Sequence, residues 1–155
     1  MISVTEAKKI IQEQVIPLKP VQLPLQEAVG LVLAADVFSI IDFPPFNQSS
    51  MDGYAFCYEG WKSNGTLPIE GEIAAGSNSN QTYASEKAVR IFTGAPVPQG
   101  MDTVVMQEKA TIINGLLTIE DQHIQLGTNV RPKGADIKAG ELALNEGSLL
   151  TPGAI

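Results

Sequence analysis

Val4, Ala7, Ile11 and Val15 recur at spacings of three and four, which sets them on one stripe of a helix. Lys8, Lys9, Gln12 and Glu13 fall on the other side. Ser3 and Glu6 match the S-x-x-E capping box, in which each side chain satisfies the other's free backbone N–H. The pattern predicts a helix over about 3–16, closed by Pro17, because the residue before a proline avoids helical angles. The stretch from Pro17 to Pro24 is too short and too stiff to cover the apolar stripe, so the helix needs a more distant partner.

Beyond Pro24 the pattern breaks up. A short helical piece over 25–29 ends at Gly30, placed as a C′ residue. Val32, Leu33, Val37, Phe38 and Ile40 suggest strand. Residues 42–53, DFPPFNQSSMDG, join two adjacent prolines to small polar residues and a terminal Asp-Gly. No helix or central strand tolerates that mixture, so an ordered loop is predicted. Tyr54, Phe56 and Tyr58 alternate and predict a strand with one aromatic face, with Cys57 a small core residue on it. Further strands are predicted over 67–74, 89–92 and 103–106, with a short one inside 137–144. Over 110–119, Asn114-Gly115 between two aliphatic or β-branched runs predicts a hairpin with a type I′ turn. Loops are expected at 75–81 and 129–134. Thr151 and Pro152 read as the N-cap and first residue of a helix, with only three residues after them. We expect from this that the chain is part of a longer protein; a frayed natural C-terminus is the alternative.

Fourteen glycines and ten prolines among closely spaced strands indicate a mainly β chain with an N-terminal helix, α+β overall. Hydrophobic residues at 44% and charged residues at 17% allow a buried core. Ten Lys and Arg against seventeen Asp and Glu leave a net charge of −7, which argues against sequence-independent nucleic-acid binding and against a polybasic membrane patch. One cysteine excludes an internal disulfide and a Cys-based zinc site, and one histidine excludes a multi-histidine metal site. No apolar run reaches the roughly 18 residues of a membrane span, and the start MISVTEAKKIIQEQ has no signal-peptide core. The expectation is a soluble, cytoplasmic protein without a nucleic-acid or membrane partner. Phosphate-loop, dinucleotide, nucleophile-elbow and zincin motifs are all missing. His123, in the polar run DQHIQ, reads as a surface residue.

Three loops can carry chemistry, and each has a plainer reading beside it. In Ser49-Ser50-Met51-Asp52-Gly53-Tyr54 a carboxylate beside hydroxyls and a glycine can hold a divalent cation or a ligand hydroxyl; Asp-Gly is also a common turn. In Thr93-Gly94-Ala95-Pro96 a hydroxyl and the N–H groups of Gly94 and Ala95 can form an anion-binding concavity; it can also be a mere strand exit. In Arg131-Pro132-Lys133-Gly134 two cations on a turn can bind phosphate; an exposed turn or an ion pair explains them equally. Lys87 and Arg90 are weaker versions of the same idea.

Together, and in this order, these blocks resemble one family. P-P-F-N-Q-S-S-M-D-G-Y-A at 44–55, R-I-F-T-G-A-P-V-P-Q-G at 90–100, D-T-V-V-M-Q-E at 102–108 and N-V-R-P-K-G-A-D-I-K-A-G-E at 129–141 look like the N-terminal half of the molybdopterin molybdenumtransferase (MoeA) family, which is similar to the E domain of gephyrin. L-P-L-Q-E-A-V-G-L-V-L-A at 23–34 fits the same pattern. The sequence departs from the family at Asn47-Gln48, where an Asp-Asn pair is common, and at Ala135, where an acidic residue is frequent.

The resemblance implies an elongated domain built from 1–42 and 140–155, with a β-barrel-like domain inserted over 43–139. It implies an enzyme that, with Mg2+ as a divalent cation cofactor, inserts molybdate into adenylylated molybdopterin and releases AMP. Asp52 and Thr93 match positions implicated in activity, Asp52 also as a metal ligand, and Ser50, Gly94, Arg131 and Lys133 would bind substrate. It further implies a homodimer, and C-terminal domains that this chain lacks, so that the chain alone would be inactive. Two other readings stay open: a non-catalytic β-rich binding or scaffold module, and a stand-alone anion-binding domain using Thr93, Arg131 and Lys133.

Overall fold

A computed structural model of the chain describes residues 2–16, 18–77 and 82–155. Helix α1, Val4–Gln14, begins where the capping box places it. The Ser3 hydroxyl accepts from the Glu6 N–H at 3.2 Å, and the Glu6 carboxylate accepts from the Ser3 N–H at 2.8 Å. The helix stops at Val15, whose N–H still donates to the Ile11 carbonyl at 3.0 Å. Pro17, the expected terminator, lies outside the described residues. Among the described residues the apolar stripe is exposed: Val4, Ile11 and Val15 are 74%, 62% and 61% exposed.

The chain forms two compact units. One comprises Met1–Val37 and Leu144–Ile155, and the other, Phe38–Ala143, is inserted between those segments. Backbone bonds join the two ends of the inserted unit. The Ser39 N–H donates to the Glu141 carbonyl at 2.8 Å, and the Gly140 N–H returns a bond to the Ser39 carbonyl at 2.7 Å.

In the first unit a 3-10 turn, Leu25–Glu27, precedes Gly30 at φ 82°, the left-handed value that glycine adopts freely. Gly30 N–H donates to Leu150 O and Leu33 N–H to Ser148 O, both at 2.8 Å. The strand expected across 32–40 is thus reduced to a bridge between Val32 and Leu149 and the two-residue strand β1, Val37–Phe38. Thr151 leads into a single 3-10 turn, Pro152–Ala154.

The inserted unit is built on a six-stranded sheet. Its strands are β3 (Gly53–Phe56), β4 (Thr66–Ile73), β5 (Ala88–Ile91), β6 (Thr103–Met106), β7 (Ala110–Ile113) and β8 (Leu116–Ile119), in the order β6-β3-β5-β4-β8-β7. Within this sheet only the β4–β5 pairing is parallel. The β7–β8 hairpin turns at Asn114 (φ 52°) and Gly115 (φ 77°), the positive pair a type I′ turn requires. Two-residue strands β2 (Gln48–Ser49) and β9 (Val130–Arg131) pair apart from the sheet, and β10 spans Leu142–Leu144.

Strand β3 is buried on both faces, not on one. Tyr54 and Phe56 pack with Leu67, Val105 and Leu117, while Ala55 packs with Ile73, Val89, Ile91 and Val104 on the other side. Gly53 is obligatory at the start of β3, because a Cβ there would lie 1.8 Å from the Val105 carbonyl oxygen. The expected strand alternation stops at Phe56. Tyr58 opens a helix, α2 (Tyr58–Asn64), and half-buried Cys57 sits at its N-cap position. The cause is distant in sequence: Asp102 Oδ1 accepts the Tyr58 N–H at 2.9 Å, supplying the cap that Cys57 lacks. Trp61 then packs edge-on to Phe56 with ring centroids 5.9 Å apart. The loop expected at 75–81 is described only to Ser77, so its second half lies outside the described residues. Among the described residues no helix is long and apolar enough to cross a membrane.

Candidate functional site

The 42–53 loop is not wholly free of strand, and the exception gathers the three motif loops. Buried Ser49 donates its N–H to the Ala95 carbonyl at 2.9 Å and accepts from the Gly94 N–H at 2.8 Å. On the other side, β2 pairs antiparallel with β9, Ser49 opposite Val130 and Gln48 opposite Arg131. Ser50 follows by donating its N–H to the Asn129 carbonyl at 2.9 Å. Asn129 itself stands at φ 57° and ties its side-chain amide to the Val104 carbonyl at 2.9 Å. Ser49 and Asn129 therefore organise the site, though the sequence offers Ser49 only as one hydroxyl of its loop and Asn129 only as the start of a family-like block. A serine amid prolines and a polar loop residue carry no periodic signal.

Asp52 and Thr93 meet directly. Asp52 Oδ1 accepts the Thr93 N–H at 2.8 Å and the Thr93 hydroxyl at 2.7 Å. These bonds, the backbone one first, hold the Asp52 carboxyl below the usual carboxylate range, with help from the Arg90 charge. Both fall on one oxygen, which leaves Oδ2 outside the pair. The Asp52 carbonyl accepts the Gln107 N–H at 3.1 Å, so the Asp52 backbone is anchored beside the end of β6 while its carboxylate is held at the exit of β5.

The anion-binding concavity expected at 93–95 is not open. The N–H of Thr93 goes to Asp52, that of Gly94 to Ser49 O, and that of Ala95 to Phe92 O at 3.0 Å. The turn uses its donors to hold its neighbours. Arg131 and Lys133 are likewise spent within the chain. Arg131 pairs with Asp136, and Lys133 Nζ lies 3.2 Å from Asp42 Oδ2. The Lys133 N–H donates to Asn47 Oδ1 at 2.9 Å, which gives the departure at Asn47 a role in holding this turn. Of the predicted site residues, the fold joins Asp52 to Thr93 and links Gly94 and Ser50 to the same loop junction. Arg131 and Lys133 stand on the far side of β2 as ion-paired residues.

Glu108 is a second carboxylate in this region, and its carboxyl is lowered mainly by the Gln107 side-chain amide, which donates to it at 2.9 Å. The Asp52 charge opposes that shift, so the two carboxylates sense each other. Among the described residues no three His, Cys, Asp or Glu side chains converge as a metal cluster. Asp52 fits a hard cation as one ligand only, through Oδ2; this suits an ion such as Mg2+, which commonly takes one or two carboxylates and completes its shell with phosphate and water. Of two shallow cavities of about 300 and 310 Å³, one is bordered by Glu108, Lys109, Glu120 and Asp121, the other by Ile40, Ile41, Asp42 and Lys133. Asp52 and Thr93 border neither, and stand on an open surface. His123 is exposed beside the first cavity.

Residues 2–155 match the family described as the MoeA N-terminal region (domain I and II). The chain belongs to that family. It is 36% identical over 154 residues to a molybdopterin molybdenumtransferase of Haemophilus influenzae, covering 98% of this chain and 38% of that protein. It is 38% identical over 159 residues to the molybdopterin molybdenumtransferase of Staphylococcus epidermidis, and 35% identical over 161 residues to molybdopterin molybdenumtransferase 2 of Mycobacterium tuberculosis. Among solved structures, a molybdopterin biosynthesis MoeA protein from Pyrococcus horikoshii superimposes with a TM-score of 0.84 at 31% identity, over 96% of this chain and 41% of that one. A second structure of a MoeA protein from that organism gives 0.81 at 28% identity, over 99% and 40%. The chain thus spans about two fifths of the length of the MoeA proteins it matches.

Proposed function

We propose that this chain forms one wall of a molybdopterin molybdenumtransferase active site, the wall that carries the Asp52–Thr93 pair. The reading rests on the family membership and on one observation: the two motif residues that the family resemblance singles out share a carboxylate oxygen although they stand 41 positions apart. The substrates are adenylylated molybdopterin and molybdate, and the product released is AMP.

The chemistry follows from the geometry. Asp52 is held ionised, so it acts as a hydrogen-bond acceptor that orients water near the phosphoanhydride. Thr93 donates its hydroxyl proton to Asp52, which aims the carboxylate and leaves the threonine oxygen lone pairs as acceptors. Oδ2 would hold Mg2+, which when bound offsets charge on the anhydride oxygens. The exposed position of both residues is what a wall shared with another domain or a second subunit requires.

The test uses a full-length family member that carries this sequence as its N-terminal region. AMP release from adenylylated molybdopterin is followed with molybdate present. Asp52→Ala and Thr93→Ala are expected to slow release about 100-fold, the scale of a misplaced reacting group, with melting temperature little changed. Full rates in both variants would favour the scaffold reading instead.

A further inference from the structure

Arg90 is the one residue of β5 that sets a charge against aromatic rings. Its guanidinium lies 5.0 Å from the Tyr54 ring centroid and 5.1 Å from that of Phe92. Tyr54 is its register partner across the β3–β5 ladder. One amino group donates to Gln107 Oε1 at 2.5 Å. Among the described residues it makes no ion pair with a carboxylate, whereas Lys87, Lys109, Arg131 and Lys133 all do. A guanidinium fixed between two rings and tied to a neutral amide is rigid but keeps its charge unneutralised by direct contact.

Gln107 passes that rigidity on. Its Nε2 donates to Glu108 Oε1 at 2.9 Å, and its backbone N–H donates to the Asp52 carbonyl at 3.1 Å. With its Oε1 occupied by Arg90, the amide can present only its NH2 to Glu108, which fixes its orientation. Three hydrogen bonds thus run from a stacked arginine to the backbone of one carboxylate residue and the side chain of another.

We propose that Arg90 is a positioning residue for the Asp52–Thr93 pair, acting through Gln107. The plainer account is that Arg90 merely covers the exposed edge of the Tyr54–Phe56 core with its apolar stem. That account explains the ring contacts but gives the Gln107 bond no consequence. The inference rests on the functional reading for its effect on turnover, and not for its effect on the geometry of the pair.

Two measurements test it. First, the Thr93 amide proton of this 155-residue chain, which donates to a carboxylate, is followed by NMR in Arg90→Met and Gln107→Ala. Met keeps the apolar stem over the rings, and Gln107 is exposed, so both changes spare the core. The Thr93 resonance is expected to move and its hydrogen exchange to quicken about tenfold, while the core amides of Val89 and Val104 stay protected. Second, in the full-length family member, both variants are expected to lower kcat about tenfold with KM within about twofold, the signature of a misaligned group. Arg90→Lys, which keeps the charge but loses the fork, is expected not to restore the rate.

An unmoved Thr93 amide in both variants overturns the proposal, as does recovery of the full rate by lysine, which would make charge alone sufficient. If Asp52→Ala leaves turnover intact while the Thr93 amide still responds to Arg90→Met, the functional reading fails and the positioning stands. If Asp52→Ala stops turnover but neither variant alters kcat, the proposal fails alone.

Discussion

Asp102 caps the helix that begins at Tyr58, across 44 positions of sequence. The same side chain also accepts the Thr103 hydroxyl at 2.8 Å, so the start of β6 and the end of β3 share one carboxylate. That contact turns the chain out of the sheet after Phe56 and sets the length of β3, at whose other end stands Asp52. The site is placed by a strand only four residues long, pinned at both ends.

Gly53 tests how tightly that strand is seated. A methyl group there meets the Val105 carbonyl at less than van der Waals distance, and backbone cannot yield as a flexible side chain would. Gly53→Ala is expected to lower stability by about 1–3 kcal/mol, the usual range for overpacking. A denaturant midpoint equal to the wild type would show that β3 and β6 separate readily.

Asp42 gives a pH dependence with a definite sign. The Ala139 N–H at 2.9 Å, and then Lys133, lower its carboxyl in the folded chain. A group whose folded pKa is depressed stabilises fully above its unfolded value, about 3.9 for Asp. That contribution declines as pH falls through the lowered folded value. Asp42→Asn is therefore expected to be less stable than wild type at pH 7, with the difference shrinking under acid. Urea unfolding at pH 7 and pH 3 checks this; a gap that widens at pH 3 contradicts it.

The capping box of α1 and the Asn-Gly hairpin were legible because both are local: the residues that decide them lie within a few positions of one another. Helix α2 was not. Tyr54, Phe56 and Tyr58 satisfy a period of two, and nothing near Cys57 reveals that Asp102 will end the strand. Strands β2 and β9 look like loops in the sequence for a similar reason, since a two-residue ladder exists only because tertiary structure brings its halves together. The candidate site was legible as three separate blocks. Their junction at Ser49 was not, nor was the closure of the Gly94 and Ala95 donors, because those bonds cross long stretches of chain. Arg131 and Lys133 illustrate a further gap. Their charges are visible in sequence, but the partners Asp136 and Asp42 that neutralise them are a matter of fold.

Self-association through helix α1 is a further expectation. Each large side chain of the Val4, Ile11 and Val15 stripe stands to gain about 1.5–3 kcal/mol on full burial. A second copy offers the same patch under two-fold symmetry. Sedimentation at rising protein concentration is expected to show a weak dimer, and Ile11→Glu to abolish it. A strict monomer at all concentrations would rule the stripe out as a self-association surface.

The most direct test of the account is a double-mutant cycle on Asp52 and Thr93 in a full-length family member bearing this sequence, read as AMP release with molybdate. If the two residues act as one unit through the shared Oδ1, Asp52→Ala with Thr93→Ala will be about as slow as the slower single variant, because the second change removes a bond already lost. Rate losses that multiply, or single variants that turn over at the wild-type rate, would contradict it.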